Sequence, residues 1–255
     1  EISARVVIGA DGSYSIVSRQ KKMVSPRKSD RFIGLRVYWD NGFFEPVAHI
    51  IYDYLTLPGY IWLFPISKNR ANIGMVVSQD SKRQAGRNMV SLFKDFVSRH
   101  HIFKELQKNG EIFDRIKASP LNLGSAKGRR VKNGVILVGD AACLINPLTG
   151  GGIFNAMLSG KQAALVSASC LRKNDVSQRE LKNYEKSLRK TLSASFFYSS
   201  FMKRCLQTEK TAYWWLQSCA KNRICANIFL SLFGNPMPPV SLINPLFLFK
   251  VLFPK

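Results

Sequence analysis

The sequence predicts an α/β fold in which two separated pieces of one doubly wound, nucleotide-type domain flank an inserted antiparallel β-rich domain, with a helical tail behind them. Three observations carry this expectation. Short, continuous apolar runs that end in Asp-Gly or Gly-Asp turns occur twice, over residues 5–10 and 135–138, as buried parallel strands do. Between them, β-branched and aromatic segments alternate with turn residues. From about residue 178 onward only helical periodicity remains.

Taken in order, residues 5–10 read as a buried strand that runs into Asp11-Gly12. Residues 31–38 alternate as a strand. Residues 48–55, 60–65 and 71–77 follow, separated by Pro58-Gly59 and by Ser67-Lys-Asn-Arg70, an antiparallel meander by its turn chemistry. Met89, Leu92, Phe93, Phe96, Val97 and Phe103 fall on one helical face, and a further strand is expected over 112–118. The strand at 135–138 ends in Gly139-Asp140, a loop with Pro147 and Gly150-Gly-Gly152 follows, and a helix is expected over 153–171. Helices are then expected over 178–208, 211–221 and 223–233. The domain boundaries implied are 1–25 with 130–175, 26–129, and 176–255.

Composition narrows the function classes. Hydrophobic residues at 46% against 21% charged describe a globular chain and exclude wholesale disorder. The 255 residues carry 38 Lys and Arg against 16 Asp and Glu, a net charge of +22, which points to a negatively charged partner. Five cysteines without a Cys-x-x-Cys pair argue against a disulfide framework and against a zinc site, so no metal is expected. No helix-turn-helix, RNP-like or zinc-finger pattern supports a specific nucleic-acid binder. The three histidines, His49, His100 and His101, have no ligand-set or triad spacing; the last two are expected on an exposed helix end. The most apolar stretch, 224–253, is broken by Gly234 and several prolines into pieces shorter than the ~20 residues a bilayer core needs.

Three stretches carry chemistry. In Gly139-Asp-Ala-Ala-Cys-Leu-Ile-Asn-Pro-Leu-Thr-Gly-Gly-Gly-Ile153, an Asp stands at the carboxyl end of a buried parallel strand, where open α/β sheets bind ligands. A carboxylate there can accept hydrogen bonds from a vicinal diol. Glycines ahead of a helix let a flat ring approach the backbone, and the helix N-terminus offers unpaired N–H groups and partial positive charge. In Ile8-Gly-Ala-Asp-Gly-Ser-Tyr-Ser-Ile-Val-Ser-Arg19, a strand ends in Gly-Ala-Asp-Gly before a helix. In the third, Tyr60, Trp62 and Phe64 alternate, so they share one face of a strand. The basic run Lys127, Arg129, Arg130 and Lys132 reads as a solvated loop. Trp214 and Trp215 beside Lys210, Lys221 and Arg223 fit either a helix lying on a membrane surface or packing onto the sheet domain.

The first two stretches resemble the "GD" and "DG" fingerprints of the flavin-dependent monooxygenase and reductase superfamily, and the fuller set resembles the geranylgeranyl reductase family. Tyr60-Ile-Trp62-Leu-Phe64-Pro65, Asn72-Ile-Gly74 and Asn155-Ala-Met-Leu-Ser-Gly160 stand where that family has Y-x-W-x-F-P, N-(V/I)-G and the residues after the glycines. The resemblance implies a FAD-binding doubly wound sheet whose first βαβ unit, with its G-x-G-x-x-G, lies upstream and is missing from this chain. It implies cofactor contacts from Asp11, Gly12, Gly139, Asp140, Pro147, Gly150, Gly151, Gly152 and Ile153, and a prenyl-chain wall of Tyr60, Trp62 and Phe64. It implies an oxidoreductase that reduces carbon–carbon double bonds of a polyprenyl group on a lipid or pigment, with FAD and with NADPH or another reductant. A FAD-dependent monooxygenase acting on an apolar substrate shares both fingerprints and stays open as the alternative. A lipid-resident substrate implies a cytoplasmic protein held peripherally on an anionic membrane surface. Cys143 departs from the pattern, since the reductases carry Gly and the aromatic hydroxylases His there; it reads as a small buried thiol.

Overall fold

The computed structural model describes residues 2–79, 88–103, 111–112, 115–124 and 127–234, and divides into two compact units, 1–30 with 122–255, and 31–121.

In the first unit, β1 (Val7–Gly9) lies parallel to β11 (Val135–Leu137), with Val7 opposite Val135 and Gly9 opposite Leu137. Segments far apart in sequence thus form one sheet, whose third strand is β10 (Val131–Lys132), antiparallel to β11. Its strands meet α1 (Ile16–Gln20) so closely that a Cβ on Gly9 would lie 3.1 Å from Val17 Cβ on that helix, besides 2.7 Å from Leu137 Cδ2 on the neighbouring strand. A two-stranded ribbon pairs β2 (Val24–Ser25) with β9 (Lys127–Gly128), so that β9 and β10 together turn the two ends of the expected basic loop into strand.

Helices α3 (Ile153–Arg172) and α4 (Gln178–Cys205) supply the rest of this core. Ser177 caps α4 by accepting from the Glu180 N–H, the Ser-x-x-Glu arrangement of a capping box. Leu181, Tyr184, Leu188 and Leu192 recur at helical spacing and bury against Val131, Val135, Ile136 and Leu137. The Tyr184 hydroxyl donates to the Leu137 carbonyl at 2.7 Å, satisfying the last peptide group of β11. Further along α4, Lys203 pairs with the buried Asp30 carboxylate. Helices α5 (Glu209–Lys221) and α6 (Arg223–Gly234) pack on one another. Trp215 is buried while Trp214 is partly exposed, so the tail aromatics divide between packing and solvent. Among the described residues no helix is long and apolar enough to cross a membrane.

The second unit is a six-stranded sheet. β4 (His49–Ile51), β5 (Tyr60–Ser67), β6 (Arg70–Ser78), β3 (Arg31–Asp40) and β7 (Glu111–Ile112) follow one another in space, and β8 (Lys117–Asn122) also pairs with β3. Alternation sends Leu35, Val37, Ile61, Leu63, Ile73 and Met75 to one face, where α2 (Met89–Arg99) covers them with Leu92, Phe93 and Phe96. Phe103 reaches this core too, but not on the helix. The chain turns extended at His100, and a short 3-10 turn, His101–Phe103, brings the ring in. His100 is half-buried and stacks on Phe96, with ring centroids 5.1 Å apart, rather than lying exposed. Arg70 closes one end of the sheet with a two-pronged ion pair to Asp40 at 2.6 and 2.7 Å.

Candidate functional site

The residues after β11 form a 3-10 turn, Gly139–Ala142, held against α3. Gly139 has φ +55°, and a Cβ there would come 3.1 Å from that of Ala156. Its N–H donates to Ser159 Oγ at 2.9 Å, and that hydroxyl donates on to the Ala156 carbonyl. The turn leaves Asp140 half-buried beside the glycine loop. A Cβ on Gly152 would lie 3.1 Å from Asp140 Oδ1, so the loop approaches the carboxylate more closely than a side-chained residue allows with comfort. Burial pushes the Asp140 carboxyl above its usual range, and the nearby Ser13 hydroxyl offsets part of that.

Ser13 belongs to the other fingerprint; its hydroxyl is buried without a hydrogen-bond partner, close enough to Asp140 to act on the carboxylate but not bonded to it. The sequence reading had not singled Ser13 out, although it follows directly on Asp11-Gly12. Its carbonyl accepts from Asn122 Nδ2 at 2.8 Å, which fixes the turn. Asp11 itself serves the neighbouring helix: its Oδ2 accepts from Ile16 N at 2.7 Å and Val17 N at 3.2 Å. Burial raises the Asp11 carboxyl, but bonds from Ser15 and from backbone N–H groups outweigh it and hold the group below its usual value. Gly12 adopts φ +75°, a region side-chained residues seldom enter.

The loop between the turn and α3 is closed by Asn146. Its backbone N–H donates to Gly151 O, its carbonyl accepts from Gly150 N, and its Oδ1 accepts from Leu148 N and Thr149 N. Pro147 is buried within this loop and Gly150 takes φ +63°. Asn155, from the first turn of α3, donates to the Leu144 carbonyl at 2.6 Å and ties the loop's other end. Gly152 caps α3 without any side-chain hydrogen bond, and Ile153 is 82% exposed. The helix therefore presents first-turn N–H groups and the positive end of its dipole next to a backbone without side chains.

Cys143 takes φ +53° with its thiol buried, and burial pushes the thiol up to about 11. The left-handed conformation explains why a glycine suits this position in the reductase pattern. The thiol is held neutral and away from solvent, which suits packing and not nucleophilic chemistry.

On the second unit, Tyr60, Trp62 and Phe64 line the sheet face opposite α2. Exposure rises along the strand, from 7% at Tyr60 to 39% at Phe64. Trp62 lies directly across from Gly74, and its Nε1–H donates to Asn72 Oδ1 at 2.7 Å. A Cβ on Gly74 would sit 2.3 Å from Trp62 Cζ2, so the indole rests on bare backbone. Asn72 and Gly74 thus hold one ring: one by hydrogen bond, the other by having no side chain. Trp62→Phe is expected to keep the fold while loosening the ring. The fluorescence of the remaining tryptophans should change little, and an Asn72→Ala variant should reproduce the looser packing in side-chain NMR.

The described residues fit a flavin. A half-buried carboxylate raised by desolvation suits a partner that donates hydroxyls, and an uncapped helix start beside three glycines suits a flat, electron-rich ring edge.

Comparison with known proteins agrees. A family model described as squalene epoxidase matches residues 3–222. Digeranylgeranylglycerophospholipid reductase 2 of Methanococcoides burtonii is 31% identical over 207 residues, which are 80% of this chain and 48% of that protein. Digeranylgeranylglycerophospholipid reductase 1 of Methanopyrus kandleri is 33% identical over 190 residues, 72% of this chain and 48% of that protein. The chain thus spans about half the length of the curated relatives it matches. The crystal structure of a geranylgeranyl bacteriochlorophyll reductase-like protein from Thermoplasma acidophilum superposes with a TM-score of 0.77 at 25% identity, covering 99% of this chain and 60% of that one. The flavin-dependent halogenase CmlS shares the fold at a TM-score of 0.59 and 21% identity, over 77% of this chain and 37% of its own. With the family model matching residues 3–222, nearly the whole described chain, the protein belongs to the squalene epoxidase family, and it is similar to digeranylgeranylglycerophospholipid reductases.

Proposed function

We propose that this chain is part of an enzyme that reduces carbon–carbon double bonds of a geranylgeranyl or similar polyprenyl group on a lipid or pigment. The observation that carries the reading is the placement of a half-buried, desolvated Asp140 against Gly152, next to the uncapped start of α3. Asp140 accepts the ribityl hydroxyls of FAD, and the backbone of Gly151, Gly152 and Ile153 faces the ring edge. When bound and reduced, FAD supplies a hydride for addition across an isolated double bond, a proton completing it. Trp62, locked by Asn72 and Gly74, and the more exposed Phe64 offer a rigid aromatic surface for the prenyl chain that also helps exclude water. The reductant is NADPH or another electron donor. A net charge of +22 and a substrate that resides in lipid favour a cytoplasmic protein held peripherally at an anionic membrane surface.

The match to a squalene epoxidase model favours a second reading, in which the same scaffold oxygenates an apolar substrate. Oxygen uptake separates the two. A reductase consumes reductant with prenyl substrate under argon as fast as in air, whereas an oxygenase stops under argon. Within the reductase reading, Trp62→Ala is expected to raise KM for a geranylgeranyl substrate while the flavin spectrum stays unchanged. A normal KM with a normal spectrum would remove Trp62 from the substrate surface.

A further inference from the structure

The basic run ahead of β11 is not simply a solvated loop. Arg129 and Arg130 line a cavity of about 520 Å³ within the first unit, and Arg27, Lys182 and Arg189 stand on its other walls. The volume lies within the ~300–1,000 Å³ range of small-molecule sites. One carboxylate, Glu185, shares the walls, and its Oε1 accepts from the Arg130 backbone N–H at 2.6 Å. Arg130 is oriented by a second bond, from its Nε to the Ala142 carbonyl at 2.9 Å. Arginine stays charged at any physiological pH and matches phosphate oxygens in its planar fork.

The remaining wall has the opposite chemistry. Leu188 and Leu192 of α4 contribute buried apolar surface, and Phe196 adds a half-buried ring. That ring lies over Gly124, where a Cβ would come within 2.1 Å of Phe196 Cε2; the glycine is the seat the ring needs. Cations on one side and an apolar wall on the other fit a ligand divided in the same way. A free inorganic anion has no use for the apolar wall, and a nucleic acid backbone tracks an open groove more readily than a cavity of this size.

We propose that this cavity binds a phosphate-bearing amphiphile, with the phosphoryl group on Arg129 and Arg189 and the glycerol and first acyl carbons against Leu188, Leu192 and Phe196. The site is separate from the flavin reading and stands without it. It makes the attraction of a basic protein to anionic lipid specific to one place on the surface.

The test is isothermal titration of the 255-residue chain with dihexanoylphosphatidate below its micellar concentration, with inorganic phosphate, and with a short single-stranded oligonucleotide. Saturable binding of the lipid is expected, at least about tenfold tighter than inorganic phosphate because of the apolar wall. Arg129→Gln with Arg189→Gln should weaken it about thirtyfold, while Lys186→Gln with Lys190→Gln, which removes the same charge from the outer side of α4, should weaken it less than about threefold. Both doubles change exposed positions, and matching thermal melts will show that each is folded. The proposal is overturned if the lipid shows no saturable binding, if phosphate binds as tightly as the lipid, if the two doubles lose equally, or if the oligonucleotide displaces the lipid.

Discussion

Asp140→Ala is expected to weaken FAD binding by about one to several powers of ten, because it removes charge-assisted hydrogen bonds worth roughly 1.5–3 kcal/mol each. The same residue should act in the opposite sense on the flavin-free fold. Burial raises the Asp140 carboxyl above its ordinary value, so the folded chain holds this proton more tightly than the unfolded one. Such a group contributes stability that is present below the unfolded pKa and is lost as the pH rises through the folded pKa. Asp140→Asn, neutral throughout, should therefore melt higher than wild type at pH 7 without flavin. The gap should close as the pH falls toward the unfolded carboxylate value of about 3.9. Equal melting temperatures at pH 7, or a gap that widens on acidification, would contradict the burial argument. Retention of wild-type FAD affinity in Asp140→Ala would contradict the site.

Gly74→Ala is expected to be among the most damaging single-methyl changes in the second unit. The new Cβ would lie 2.2 Å from the Leu35 carbonyl oxygen and 2.3 Å from Trp62 Cζ2. The first contact is with the backbone of β3, the strand paired with β6 along its whole length, so it cannot be relieved by turning a side chain. The loss should approach roughly 3 kcal/mol, the upper end of ordinary overpacking. Gly160→Ala, on α3, meets nothing within 4 Å and should instead gain up to about 1 kcal/mol from helix propensity. Urea unfolding of both variants checks the pair. A Gly74→Ala change within about 0.5 kcal/mol of wild type would mean that the Trp62 seat is not rigid.

The parts of this fold that were legible in the sequence are those in which one signal dominates. Val135-Ile-Leu is continuous and apolar because β11 is covered on its faces, and the glycines after it announce the loop before α3. The meander was legible through Pro58-Gly59 and Asn69, turn residues between strands of β-branched and aromatic type. Weak or mixed signals hid the rest. One strand was expected over 112–118, but the chain pairs at Glu111–Ile112 and again at Lys117–Asn122, the second containing Pro120, which has no N–H for a ladder. Strands of two residues, such as β2, β9 and β10, carry no period to detect. Of the proposed site, Asp140 and the glycines stand out in the sequence because their residue types match the chemistry expected of them. Ser13 does not, because a serine in a turn is common and only the fold shows its hydroxyl buried without a partner. Asp11 also accepts from the first N–H groups of α1, a role that only the fold reveals.

The most direct test of the account is the mass of the product formed when the reduced flavoprotein meets a geranylgeranylated glycerophospholipid under argon. The account predicts a product that has gained two hydrogens for each double bond consumed, in step with flavin oxidation, and that loses this activity together with its flavin in Asp140→Ala. A product formed only on admission of air and carrying one added oxygen atom would contradict it.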